Sequence, residues 1–382
     1  MILGFFILFA IYFYSMVFIV LGYRNVRFFS SSEMADKPKE IRPATRFSVV
    51  IPFRNEAENL PNLLKTIHGL KYPSEMFELI FVNDASEDIS EAIISEAMEK
   101  SRFSIKLIQN ERISNSPKKD AISKAIKNSD YEWIVTTDAD CELPKNLLKT
   151  LDGFIQKSNP VMVCGPVIYK SNGSFIENFQ QLDGLSLQAV TIGSFGLNNP
   201  LLCNGANLAY KKEAFLKVNG FSGNDHLASG DDIFLFEKLK KAFPKRVRFL
   251  KSEEAIVFTK PQQTWKTVIN QRIRWASKTT KQNNPVSMFL GILVFLVNLS
   301  VLAFPFFMIF DTGNLGFYLL LIAIKIIVDY VVIQQTASLF GNKLFFWKFL
   351  LQTYMYALIV LIVTLGSFRG NYSWKGRTFE KQ

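Results

Sequence analysis

Cysteine is scarce in this chain of 382 residues: Cys141, Cys164 and Cys203, far apart in sequence. They form no CxxC pair and no even-numbered framework, which excludes a disulfide scaffold and a cysteine-held structural zinc. Histidine is scarcer still, with only His68 and His226, so a histidine-rich metal site is excluded as well. Acid is outnumbered, 33 Asp and Glu against 44 Lys and Arg, giving a net charge of +11. Charged residues of both signs make up only 20% of the chain and hydrophobic residues 49%, with 36 Phe. A chain this apolar is not disordered, and no periodic glycine marks a collagen-like fibre.

Charge is absent altogether from three long runs. Residues 1–23, 286–310 and 349–368 carry no Asp, Glu, Lys or Arg. At about 1.5 Å per residue, about 20 residues suffice to cross a hydrocarbon core of about 30 Å. A fourth run, 315–333, is broken by Lys325 and Asp329, which are four apart and can pair on a helix. Four such runs point to an integral membrane protein. The first lacks a basic n-region and a small-residue cleavage site, so it is expected to be an uncleaved anchor. Arg24 and Arg27 follow it and place the next part of the chain in the cytoplasm by the positive-inside rule. Residues 24–45 then read as a juxtamembrane linker.

A soluble domain of residues 46–260 is expected between the anchors. Strand patterns at 47–53, 77–82, 105–108 and 133–137 alternate with helical spacing at 56–68, 88–100 and 118–126. This β-α-β-α order predicts an α/β domain with a mostly parallel sheet and helices on both faces. Ligands of such sheets bind at the carboxyl ends of the strands. Those ends carry Pro52 to Glu56, Asn83 to Asp88 and Thr137 to Asp140. The carboxylates of Glu56, Asp84, Asp138 and Asp140 would repel one another without a counter-cation. Hard oxygen ligands suit Mg²⁺ or Mn²⁺. A polar turn, with Asp140 capping the helix after Pro144, is the plainer alternative.

The stretches VVIPFRNEAENL, FVNDASED, SPKKDAISKAI, VTTDADC, NGANLAYKKEAF, VNGF, SGDDIFL and QRIRW run in order from about residue 47 to 275. Together they resemble the membrane-bound glycosyltransferases of family 2, which have the GT-A fold. The resemblance implies that Pro52 and Glu56 border the nucleotide and that Asp84 hydrogen-bonds its base. It sets Lys118 or Lys119 near the nucleotide, Asp138 near ribose and metal, and Asp140 on the metal that bridges the diphosphate. Gly205 and Asn207 would lie beside the donor sugar and acceptor. Asp232, beside Asp231, matches the general base, although both acids also sit where a helix would be capped. Gln271, Arg274 and Trp275 match a QxxRW signature that helps hold diphosphate and acceptor. The family usually has glycine where this chain has Pro117, and often glutamate where it has Asp231.

The chemistry explains these residue types. A departing nucleoside diphosphate gathers negative charge, which a divalent cation and cationic side chains stabilise. The acceptor hydroxyl loses a proton, which a carboxylate can take. The resemblance implies inversion at the anomeric carbon. The partners that the resemblance implies are a nucleotide-sugar, expected to be a UDP-sugar, and a membrane lipid or membrane-associated glycan. Nucleic acid is not expected, because no aromatic RNA-binding motif accompanies the positive charge. Two alternatives stay open: a processive polysaccharide synthase, which shares QxxRW, and an inactive GT-A scaffold.

Residues 261–285 contain five basic residues and no acid. On a helix, Gln271, Arg274, Trp275 and Lys278 share one face, and Trp265, Val268, Ile269, Ile273 and Ala276 the other. An interfacial helix with its apolar face toward lipid is expected here. Residues 286–368 form the C-terminal membrane region and 369–382 a basic tail. The tail's Arg369, Lys375, Arg377 and Lys381 face one acid, Glu380, and predict a cytoplasmic C-terminus. That requires one segment not to cross, and 315–333 is the costliest to place in lipid.

Overall fold

The computed structural model describes residues 2–30, 43–223, 230–279, 284–341, 344, 346–368, 371–374 and 377–380. The first half of the chain runs α1 (Ile2–Asn25), β1 (Phe47–Phe53), α2 (Leu60–His68), β2 (Phe77–Asn83), α3 (Ser90–Lys100), β3 (Ser104–Gln109) and α4 (Pro117–Lys127). Next come β4 (Trp133–Thr136), β5 (Cys141–Glu142), α5 (Leu147–Ser158), β6 (Met162–Cys164), β7 (Val167–Tyr169) and α6 (Phe175–Gly196). Then follow β8 (Leu208–Lys211), α7 (Lys212–Lys217), α8 (Asp231–Ala242), β9 (Val247–Phe249), β10 (Val257–Thr259) and α9 (Trp265–Thr279). The chain ends with α10 (Pro285–Phe310), α11 (Leu315–Leu339), α12 (Phe346–Phe368), β11 (Asn371–Trp374) and β12 (Arg377–Glu380). Two compact units result: an α/β unit of residues 27–168 and 202–260, and a helical unit of residues 1–26, 169–201 and 261–382.

The α/β unit is built on a seven-stranded sheet of order β3-β2-β1-β4-β8-β6-β9. The first four strands are parallel, with Phe47 opposite both Phe77 and Trp133. β1, β2 and β4 are rich in β-branched and aromatic residues and buried on both faces, as parallel strands covered by helices must be, while the edge strand β3 is only half-buried. Val49, Ile51, Leu79 and Phe81 are each fully buried, and such burial contributes about 1.5–3 kcal/mol per side chain. β8 runs antiparallel between β4 and β6. Its first residue, Leu208, therefore lies opposite Thr136, the last residue of β4. The loop before β8 is thereby brought to the same edge as the carboxyl ends of the parallel strands.

The helical unit holds four helices long and apolar enough to cross a membrane, α1, α10, α11 and α12, counted among the described residues. The facing sides of α1, α10 and α11, with Ala189 of α6, form one core of Phe9, Tyr12, Met16, Val297, Phe304, Tyr318 and Leu321. α1 and α6 meet backbone to backbone. A Cβ on Gly22 would collide with the Gly193 carbonyl oxygen, and one on Gly196 with that of Gly22. α11 is one continuous helix whose two charges pair: Lys325 Nζ lies 2.7 Å from Asp329 Oδ2. The Tyr12 hydroxyl of α1 donates to Asp329 Oδ1 at 2.5 Å.

Two expectations need correction. The apolar side of α9 does not face lipid: Val268 is fully buried with Phe179 of α6 and Ile359 of α12. Ile273 likewise packs so tightly on Gly366 that a Cβ there would meet it at 2.5 Å. Nor does Asp140 cap the helix after Pro144, since α5 begins at Leu147 with Asn146 as its N-cap.

Candidate active site

The parallel strands deliver their carboxyl-end residues to one edge of the α/β unit. Asp84 directly follows β2 and is buried, 6% exposed. Arg112 Nε and Asn110 Nδ2 both donate to Asp84 Oδ1 at 2.8 Å, and Arg54 Nη1 donates to its backbone oxygen at 2.9 Å. These three residues escaped the sequence reading. Their signal is position, since Arg54 and Asn110 are the first residues past β1 and β3. Glu56 is buried nearby in sequence, with its backbone N–H on Ser90 Oγ and its carboxylate receiving Asn59 Nδ2 at 2.5 Å. Pro52 lies within β1, opposite Val82.

A second cluster forms at the end of β4, the loop before β8 and the start of α8. Lys118, in the first turn of α4, reaches Asp138 Oδ1 at 2.7 Å and Asp231 Oδ2 at 3.1 Å. Burial alone would lower the Lys118 pKa, but Asp138 and Asp231 outweigh it and hold the ammonium well above its ordinary value. The lysine therefore stays cationic and neutralises carboxylates that come from different parts of the sequence. Lys119, one residue on, is buried with its ammonium 5.2 Å from the centre of the Phe234 ring.

Asp231 and Asp232 open α8, but the helix is capped by Gly230 in the left-handed region (φ 89°), not by either side chain. Only glycine fits there: a Cβ would strike the Phe234 ring at 2.6 Å. Carboxylates in the first turn also face the positive end of the helix dipole. Asp232 Oδ1 accepts the Ile233 N–H at 2.8 Å, and Asp232 Oδ2 lies 3.4 Å from the Gly205 nitrogen. Gly205 is pressed against this group, and a Cβ on it would sit 3.2 Å from Asp231 Oδ2 and 3.6 Å from Lys118 Nζ. Thr136 Oγ1 ties the Gly205 carbonyl to the end of β4 at 3.0 Å. Asn207 braces the same loop, its amide donating to the Pro166 and Ala255 carbonyls at 2.9 and 2.8 Å.

Asp140 lies two residues beyond Asp138, with Cys141 Sγ 3.7 Å from its Oδ1. Burial pushes the Cys141 and Cys203 thiols up, so neither is a ready nucleophile. Among the described residues no group of three or more His, Cys, Asp or Glu is arranged to hold a metal ion. Asp138 and Asp140 instead offer two hard carboxylates, and both remain partly exposed. That set fits Mg²⁺ or Mn²⁺ completed by waters and substrate phosphates. A cavity of about 390 Å³, lined by Thr45, Arg46, Glu132, Trp133, Asn159 and Lys211, lies where β1 and β4 begin, at the opposite end of the strands.

Gln271, Arg274 and Trp275 lie on α9 in the helical unit. Gln271 Oε1 accepts from the Tyr169 hydroxyl and from Arg272 Nη1, each at 3.1 Å. The Arg272 guanidinium carbon stands 4.2 Å above the centre of the Trp275 ring. His226 lies outside the described residues.

Fold and cluster together define an α/β domain with a charged site at its strand ends, in a chain that also holds helices long and apolar enough to cross a membrane. Residues 48–218 match the family model Glycosyl transferase family 2, so this stretch is a family 2 glycosyltransferase-type domain. It is 26% identical over 233 residues to the poly-beta-1,6-N-acetyl-D-glucosamine synthase of Staphylococcus epidermidis, covering 60% of this chain and 53% of that one. It is 37% identical over 101 residues to the undecaprenyl-phosphate 4-deoxy-4-formamido-L-arabinose transferase of Proteus mirabilis, covering 26% and 30%. The chain spans about half the length of the first curated relatives it matches. Its fold is similar to that of the mannosyltransferase PcManGT of Pyrobaculum calidifontis, solved with GDP-Man and Mn²⁺, with TM-score 0.56 and 16% identity over 96% of this chain and 99% of that one. The GT-A fold expected from the sequence is thus the fold observed. The chain is related to both lipid-linked sugar transferases and polysaccharide synthases.

Proposed function

We propose that this protein is an inverting transferase that moves a sugar from a nucleoside-diphosphate sugar, UDP-linked by the family resemblance, to a hydroxyl of a membrane lipid or membrane-associated glycan. The observation that carries the proposal is the Lys118–Asp138–Asp231 cluster with Asp232 and Gly205 beside it. It sets a cation, a carboxylate at a strand exit and a pair of helix-start carboxylates within one small space.

Asp84, held by Arg112 and Asn110, is proposed to receive the nucleotide base, with Pro52 and Glu56 bordering it. Asp138 and Asp140 would hold a divalent cation, which when bound offsets the charge of the diphosphate. Lys118 supplies a second positive charge at the same place. Asp232 is the proposed general base, and Asp231, neutralised by Lys118, keeps the local charge balanced. Gly205 leaves room for the sugar, while Asn207 fixes its loop. Gln271, Arg274 and Trp275 are proposed to serve the diphosphate and the acceptor. The Proteus relative's name supports a membrane-lipid acceptor; the Staphylococcus relative's name supports chain synthesis.

The test is incubation of membranes containing the protein with radiolabelled UDP-N-acetylglucosamine, UDP-glucose and GDP-mannose. Label entering the lipid extract in single-sugar units is expected. Long polymer instead would favour the synthase. No transfer above that of membranes bearing Asp232→Asn would overturn the reading.

A further inference from the structure

Arg272 occupies a position that the QxxRW signature leaves open, yet its guanidinium touches two of the three residues that define it. It has four neighbours, and as a guanidinium it can only donate to them. Nη2 meets Asp183 of α6 at 2.5 Å, Nη1 lies 3.3 Å from the Tyr169 hydroxyl and 3.1 Å from Gln271 Oε1, and the plane covers Trp275. Arg272 is 7% exposed and Asp183 9%.

An ion pair this deep is a costly way to join two helices. Desolvating both charges offsets most of their attraction, and an apolar pair of the same volume would hold α6 to α9 at least as well. The charge therefore has a use that packing alone does not supply. The hydrogen bonds identify it. Arg272 and Tyr169 both donate to Gln271, so the end of the amide they meet must be the oxygen. The NH₂ end is then turned away from them and remains a donor, the polarity needed to meet a phosphate oxygen. Trp275, one turn along the helix, is shelved by the same planar cation.

We propose that Arg272, anchored by Asp183, is a positioning residue that fixes the donor end of the Gln271 amide and the plane of the Trp275 ring. The inference rests on the proposed use of Gln271 and Trp275 for diphosphate and acceptor.

The test uses the full chain in membranes, with the labelled nucleotide-sugar that the wild type transfers, and thermal unfolding of the same preparations. Arg272→Met alone leaves Asp183 buried without its partner and is expected to lower both Tm and turnover. Arg272→Met with Asp183→Leu removes both charges, so Tm should return to the wild-type value or above. Turnover should nevertheless stay down by about tenfold or more. Adding Gln271→Ala to that pair should cost little further, because residues acting through one another are not additive. Recovery of turnover with Tm in the paired variant, or full additivity with Gln271→Ala, would overturn the inference and leave the proposed function standing. Failure of the wild type to transfer any of the three labelled sugars would overturn the functional reading, and this inference with it.

Discussion

Lys118 is the residue on which the local electrostatics turn. Its ammonium lies within 3.1 Å of carboxylates from the β4 exit and from the start of α8. In sequence it was one of two adjacent lysines with equal claims, and only packing separates them, because helix rotation sends Lys119 under Phe234. The carboxylates themselves were legible, since strand-end acids need no tertiary information to be recognised. Arg112 was not, because a lone arginine in a polar loop carries no pattern. Two predictions belong at this scale. Asp140→Asn preserves shape while removing one charge from the proposed cation site. Titration of UDP with Mn²⁺ should then show loss of metal-dependent binding with the thermal transition unchanged; transfer at the wild-type rate would show that Asp140 holds no metal. Asp232→Asn should keep UDP and Mn²⁺ binding but slow transfer by about 10²–10⁴-fold, the usual contribution of a positioned base. Loss of UDP binding in that variant would instead give Asp232 a structural role.

At the scale of elements, β1 to β4 and the helices between them were readable because each is a short run with one clear period. The structure moves their ends by a few residues, starting α2 at Leu60 where a helix from 56 was expected. α6 was missed entirely. It mixes Gln, Asp, Ser and Gly among its apolar residues and is buried on several sides, so no single stripe marks it. The orientation of α9 was misread for a related reason: an amphipathic pattern reports an apolar environment without distinguishing lipid from neighbouring helices. The pair Lys325–Asp329 was legible as i,i+4 spacing, but its partner Tyr12, from the other end of the chain, was not. Asp329→Leu should leave Lys325, 1% exposed, without its counter-charge. A loss of about 3–5 kcal/mol is expected from breaking such a pair. Lys325→Leu combined with Asp329→Leu should recover most of it. Thermal unfolding in detergent checks both, and a double variant no more stable than the single one would mean that Tyr12 or the helix packing, not charge balance, sets the cost.

At the scale of the molecule, the open question is how many helices cross the membrane. The basic tail argues for a cytoplasmic C-terminus, which requires α11 not to cross. The reason for exempting α11 was the cost of its two charges. Lys325 and Asp329 meet each other and Tyr12, so neither charge presents itself bare to lipid. The outer side of α11 makes the opposite demand. Leu315, Leu319, Leu320, Ile327 and Val331 are 43–59% exposed along most of its length, and each would cost about 1 kcal/mol or more to leave in water. The four basic tail residues weigh about 1 kcal/mol each near an anionic surface, and Glu380 opposes them. Apolar area thus outweighs tail charge, and α11 is expected to span with α1, α10 and α12. If residues 27–260 face the cytoplasm, three further crossings carry Gln382 to the far side. A reporter fused after Gln382 should then show phosphatase activity and no fluorescence from a cytoplasm-dependent fluorophore. Cytoplasmic fluorescence without phosphatase activity would mean that one C-terminal helix stays in the membrane without crossing, and that the tail's charge decides the topology.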